Sequence, residues 1–250
     1  MPHVLYIDST FRTRGSHSDF DVMLQETLGV EDARMRVDNL TFVSTTLTVS
    51  EGNQYLYLYD STQMQTWFKI PQQAYTGKTL AAAIQVATGI TTGYYEPRNE
   101  IRMQMNDALL TALSDEQLAM QPPPPTGNWP EGATPRNPMS INNVLGPYVR
   151  EGTDLVFRFV NMSQHNNVYL RSNRLSCHNT YGPRGESDII CKIPVTKGVG
   201  SVIEHSTPEG VWMDLGTHSS LRTLDFKLTD SMAVPLDLKN QPLSFQLTID

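Results

Sequence analysis

At 250 residues, with 39% apolar and 18% charged side chains, the chain is long enough for a sizeable core and too apolar for a disordered one. Its formal charge of −7 argues against a protein that coats phosphate backbones over a wide face, so no specific nucleic-acid partner is expected. No run approaches the roughly 18–20 apolar residues that cross a bilayer, so no membrane span is expected.

The N-terminal stretch MPHVLYIDSTFRTRG has no basic segment leading into an apolar one, so a chain made without a secretion signal is expected. Arg12 and Arg14 place a small basic patch there. In SDFDVML the apolar residues Phe20, Val22 and Leu24 alternate with polar ones, the period of a strand with one buried face. RMRVDNLTFVSTTLTV follows as a long β-branched run. Its inward face switches between Val37 and Leu40, as a bulge would cause. QYLYLYD sets Tyr55, Tyr57 and Tyr59 on one face and Leu56 and Leu58 on the other. Such a tyrosine stripe suits packing in a core or against a neighbouring subunit better than sugar or base stacking.

TGKTLAAAIQVATG is the one clear helix, with Leu80, Ala83, Ile84 and Ala87 at i, i+3, i+4 and i+7, a Thr76 cap and a Gly89 stop. SDEQLAM predicts a second short helix capped by Ser114. TWFKIP, TGYYEP, EIRMQM, DLVFRFV, NVYLRSN and DIICKIPV read as short strands bounded by turn residues. Residues 121–138 carry prolines at 122–125, 130, 135 and 138, too many for a sheet interior, and are expected to form a long exposed loop of one domain. Within that loop Trp129 is either folded back over the sandwich or an exposed anchor. The chain closes on LSFQLTID, where Leu243, Phe245, Leu247 and Ile249 alternate with polar residues. Its pattern is that of a strand tied into the middle of a sheet. Many short strands with turns between them predict an antiparallel β-sandwich of about eight core strands.

Catalytic and metal-binding patterns are missing. There is no phosphate-binding glycine loop, nucleophile elbow or zincin helix. His3, His17, His165, His178, His205 and His218 are not spaced three or four apart. Cys177-His178 with Cys191 lacks the four ligands of a zinc knuckle and reads as a buried thiol beside a surface histidine; two cysteines make no disulfide framework. The acidic pairs Glu31-Asp32 and Asp115-Glu116 lie in turn-like or helix-start contexts where acids serve as caps. The sequons at Asn39 and Asn161 fall within predicted strands. No enzyme activity, metal or cofactor is expected.

Three stretches together resemble the single jelly-roll penton and minor capsid proteins of double-stranded DNA viruses, in the virophage, Polinton-like, adintovirus and giant-virus assemblage. They are the opening with Asp8, Ser9, Arg12 and Ser18-Asp19-Phe20, the helix KTLAAAIQVATG, and the ending LDFKLTDSMAVPLDLKNQPLSFQLTID. The chain departs from the family pattern in the Pro-rich segment and in the last loop, where Ser-Met-Ala-Val stands in place of a stretch with glycine. The resemblance implies an all-β fold: a single eight-stranded antiparallel jelly roll over residues 1–250, with one or two short helices in loops. It implies a structural capsid protein of an icosahedral virion, foremost the five-fold vertex protein. Partners would be four further copies in a homopentamer, the major capsid protein, and a vertex fibre or other minor capsid proteins. The alternatives are a cement protein between capsomers and a jelly-roll module that binds a receptor or glycan. Tyr55, Tyr57, Tyr59 and Trp129 are the expected interface residues.

Overall fold

The computed structural model describes residues 2–60, 64–105, 110–120, 129–163, 165–175, 181–182, 185–208, 212–215 and 220–250. In chain order the strands begin with β1 (His3–Asp8), β2 (Arg14–Gly15), β3 (Asp19–Gly29) and β4 (Arg34–Val43). Next come β5 (Tyr55–Asp60), β6 (Met64–Lys69), helix α1 (Gly77–Thr88), β7 (Thr92–Tyr95), β8 (Glu100–Met103) and β9 (Thr111–Ala112). Helices α2 (Asp115–Met120) and α3 (Asn142–Leu145) precede β10 (Tyr148–Glu151) and β11 (Asp154–Arg158). The chain continues with β12 (Asn167–Arg171), β13 (Ile189–Pro194), β14 (Val202–His205), β15 (Met213–Asp214), β16 (Ser220–Thr229) and β17 (Leu243–Ile249).

The chain forms two compact units, one made of Met1–Thr46 with His165–Asp250 and the other of Leu47–Gln164. The first contains two antiparallel sheets, ordered β1-β17-β4-β14 and β13-β12-β16-β3-β2, with β15 on the start of β4. Among the described residues, setting aside the two-residue β2 and β15 leaves eight strands, four in each sheet. Numbered one to eight along the chain, they run 1-8-3-6 in one sheet and 5-4-7-2 in the other. That interleaving of chain halves across two four-stranded sheets is the jelly roll.

Alternation along each strand puts one row of side chains between the sheets. Leu243, Phe245, Leu247 and Ile249 of β17 are all buried, while Ser244 and Gln246 face outward. The ring of Phe226 meets Phe245 edge-on at 4.9 Å and Phe20 at 5.6 Å, so one aromatic chain links the two sheets. Each such pair contributes about 0.5–1.5 kcal/mol beyond its buried area. β17 lies between β1 and β4, with Leu247 opposite both Leu5 and Val37. The expected bulge is present. Ser244 pairs with Thr41 and Gln246 with Asp38, so β4 spends one extra residue there. Asn39 takes up the kink at φ 50°, and Val37 and Leu40 are both fully buried.

The second unit has its own core. One of its sheets runs β10-β11-β8-β7 and the other β6-β5-β9. Helix α1 buries Leu80, Ala81 and Ile84, is capped by Thr76 accepting from the Thr79 amide, and stops at Gly89 with φ 71°. A Cβ at Gly77 would lie 2.3 Å from the Tyr94 ring, so only glycine permits that approach. In α2 the Ser114 hydroxyl accepts from the Gln117 amide, as its sequence predicts. The middle strands pair in these two sheets and not in the two sheets of the first unit. They fold over an apolar cluster of their own, with Leu56, Ile70, Met103, Leu155 and Phe157 at its centre.

Candidate interaction surface

The tyrosine stripe divides. Tyr55 is 2% and Tyr57 1% exposed, whereas Tyr59 at 37% keeps contact with solvent. Tyr55 and Tyr57 pack with Leu113, Leu118, Ala133 and Met139, and Trp129 lies half-buried against them. The Tyr57 ring is 5.8 Å from Trp129, and Tyr55 meets Trp67 edge-on at 5.6 Å. A buried phenol needs an acceptor. The Tyr57 hydroxyl donates to the Pro138 carbonyl at 2.7 Å and that of Tyr55 to the Glu131 carbonyl at 3.3 Å. Burial first, then the neighbouring Tyr55 and Asp115, holds the Tyr57 phenol far above its ordinary pKa.

Of the Pro-rich segment expected as an exposed loop at 121–138, Glu131, Gly132 and residues 134–137 are exposed. Residues 129–138 form a flap over the tyrosines, with Trp129 folded back and Pro130 and Ala133 buried. The proline run at 122–125 lies outside the described residues. Of the four expected interface residues, Tyr55 and Tyr57 are buried within the unit, Trp129 is half-buried against them and Tyr59 is exposed.

The Asp-Ser-x-x-Arg turn at the N-terminus has a structural use. The Asp8 carboxylate accepts from the Thr10 amide at 2.7 Å. Ser9 is fully buried, and its Oγ accepts the Leu243 amide at 2.9 Å, fastening the turn to the first residue of β17. His17 Nδ1 lies 2.7 Å from the same Oγ, and Arg12 Nη1 3.4 Å from His17 Nε2. The serine and histidine are at the distance of a nucleophile and its base, but the serine has no exposed surface. Arg12 also donates to the Ser9 and Gly15 carbonyls at 2.9 Å each, so half of the expected basic patch is committed to the turn.

The remaining titratable candidates are likewise absorbed. Asp115 accepts from Ser140 Oγ at 2.5 Å and Asn142 Nδ2 at 2.7 Å, tying α2 to the start of α3. Glu31 and Asp32 form the β3–β4 turn, with Asp32 at φ 52°. Cys191 is a buried free thiol whose pKa burial pushes up to about 11; Cys177, His178 and His218 lie outside the described residues. Among the described residues no three metal-ligating side chains come together, and no helix is long and apolar enough to cross a membrane.

Exposed apolar side chains occur on both units. On the jelly-roll unit Tyr6 is 81% and Phe11 79% exposed, with Val4 beside Tyr6 on the outer face of the edge strand β1. Val202 stands out from β14, the opposite edge of the same sheet. Trp212 is stacked by two guanidinium groups, Arg36 at 5.2 Å and Arg34 at 5.7 Å. The residue pattern does not single out Tyr6 and Phe11, because a lone edge aromatic carries no periodic signal.

The strand order places the first unit among single jelly rolls, the class that the resemblance of the opening, the helix and the ending had implied. No family model matches the chain, and no curated protein matches it. Among solved structures it is similar to the crystal structure of the selenomethionine-labelled mavirus penton protein. The TM-score is 0.55 at 9% sequence identity, and the match covers 100% of this chain and 99% of that one. At that identity the likeness is one of fold.

Proposed function

We propose that the protein is a structural capsid protein that occupies the five-fold vertices of an icosahedral double-stranded DNA virus. The observation that carries this reading is the likeness to a penton protein from end to end of both chains, jelly roll and inserted unit together. The chain acts without catalysis, as five copies in a ring held in the surrounding shell of major capsid protein. A closed ring requires a head-to-tail contact between two different surfaces of one subunit. The sheet β1-β17-β4-β14 offers two unlike edges, with Val4 and Tyr6 exposed at one and Val202 at the other. A vertex fibre or minor capsid proteins would meet loops of this assembly.

The test is co-assembly. The chain is expressed with the major capsid protein of its own virus, and the particles are imaged by electron cryomicroscopy. The expected result is density for this fold at every five-fold vertex. Particles that close their vertices without the chain, or that carry it only between capsomers, would replace the vertex role by that of a cement protein.

A further inference from the structure

A second surface with chemistry of its own lies on the inserted unit, on the face of the β10-β11-β8-β7 sheet opposite its apolar core. There β7 and β8 border an open cleft of about 410 Å³, lined by Gly93, Tyr94, Tyr95, Arg98, Glu100 and Arg102. Gly93 is opposite Arg102 and Tyr95 opposite Glu100 in the strand register. The missing side chain at Gly93 leaves the cleft open, since a Cβ built there meets nothing within 4 Å.

Glu100 is the unusual member. It is 2% exposed, and its Oε2 has no hydrogen-bond partner among the described residues. Among the described residues its other oxygen receives only a long bond of 3.4 Å from Arg102 Nη2, whose stronger contact is Glu151 Oε2 at 2.7 Å. Asp154 is also 3.7 Å from Arg102. A buried carboxylate oxygen without a donor is costly, so the site is built for a donor that the chain does not supply. Arg98 has its guanidinium 5.9 Å from the ring of the half-exposed Tyr95 and makes no ion pair among the described residues.

The charges restrict the ligand. A cation entering toward Glu100 meets Arg98 and Arg102, and an anion attracted by Arg98 meets the Glu100 carboxylate. A neutral molecule that both donates and accepts satisfies all of them. We propose that this cleft binds a neutral carbohydrate. A side-chain shift that turns Glu100 Oε2 to the cleft lets one hydroxyl donate to it, a second oxygen accepts from Arg98, and the sugar ring sits in the gap at Gly93 beside Tyr95. The volume is that of a small-ligand pocket. The inference goes beyond the vertex role and does not depend on it, because every lining residue lies within the inserted unit.

Saturation-transfer NMR on the full-length chain tests it, with glucose, galactose, mannose, N-acetylglucosamine and N-acetylgalactosamine as probes and N-acetylneuraminic acid as an anionic comparison. At least one neutral sugar is expected to show transfer. Gly93→Val fills the cleft from a strand position with open space around it, and should abolish transfer while leaving the melting curve unchanged. Glu100→Gln withdraws the charged acceptor and should weaken binding by about tenfold or more, the usual effect of losing a hydrogen bond to a charged group. If Glu100→Gln does not fold, Gly93→Val alone decides. Transfer from none of the neutral sugars, transfer from N-acetylneuraminic acid alone, or a Gly93→Val chain that binds like the parent would overturn the proposal.

Discussion

Ser9→Ala probes the fastening between the two ends of the jelly-roll unit. The hydroxyl oxygen accepts the Leu243 amide at 2.9 Å and shares a hydrogen bond with His17 Nδ1 at 2.7 Å, and Ser9 has no exposed surface. Alanine leaves the Leu243 N–H as a buried donor with no acceptor, at about 1–3 kcal/mol. Loss of the half-buried His17 bond adds about 0.5–1.5 kcal/mol. A total near 3 kcal/mol corresponds to a fall in Tm of roughly 6–12 °C for a protein of this size. His17→Ala removes the second bond and keeps the first, so its cost should stay near 1 kcal/mol. Calorimetry of the two variants gives the magnitudes, and hydrogen exchange at the Leu243 amide gives the cause, since protection there should drop in Ser9→Ala and persist in His17→Ala. A Ser9→Ala chain that melts within a degree of the parent, or a larger effect from His17→Ala, would refute the fastening.

Other perturbations separate the remaining claims. Replacing residues 121–128 by a Gly/Ser connector should cost under about 1 kcal/mol, since closure entropy varies slowly with loop length. The same replacement at 129–138 removes the acceptors of both buried tyrosine hydroxyls, at about 1–3 kcal/mol each, and urea melts distinguish the two. Ala233 holds φ 65° in the last loop, where the family pattern has glycine, and it is exposed. Ala233→Gly should therefore raise stability by about 1 kcal/mol in the same assay, and a loss would mean the turn relaxes in solution. Burial lowers the pKa of His165, against a smaller opposing effect of Asp230, and lowers that of His205. The folded chain then binds fewer protons than the unfolded one as pH falls through about 6.5. Stability should be full above that value and decline toward pH 5, and a urea midpoint that rises over this interval would contradict the burial of both rings.

Much of the local structure was already written in the residue pattern. The alternation in 243–249, the capped helix at 77–88 and the bulge between Val37 and Leu40 follow from side-chain period and backbone propensity. Those depend on residues within a few positions of one another, and each stands where expected. The motif at Asp8, Ser9 and Arg12 was visible too, though its use was not, because Ser9 and Leu243 are 234 positions apart.

The partition of strands was decided only by tertiary structure. DLVFRFV and NVYLRSN look alike as sequence, yet β11 joins the inserted unit and β12 the jelly roll. Period two states that a strand has a buried face and is silent about which sheet buries it. The tyrosine stripe met the same limit. Tyr55, Tyr57 and Tyr59 share one period, and the flap at 129–138 covers the first two and leaves the third exposed. Nor does any pattern mark Glu100, which becomes a buried acceptor only when β7, β8 and their arginines are assembled around it. Burial on a given face is a property of what folds over it, and distant parts of the chain supply that cover.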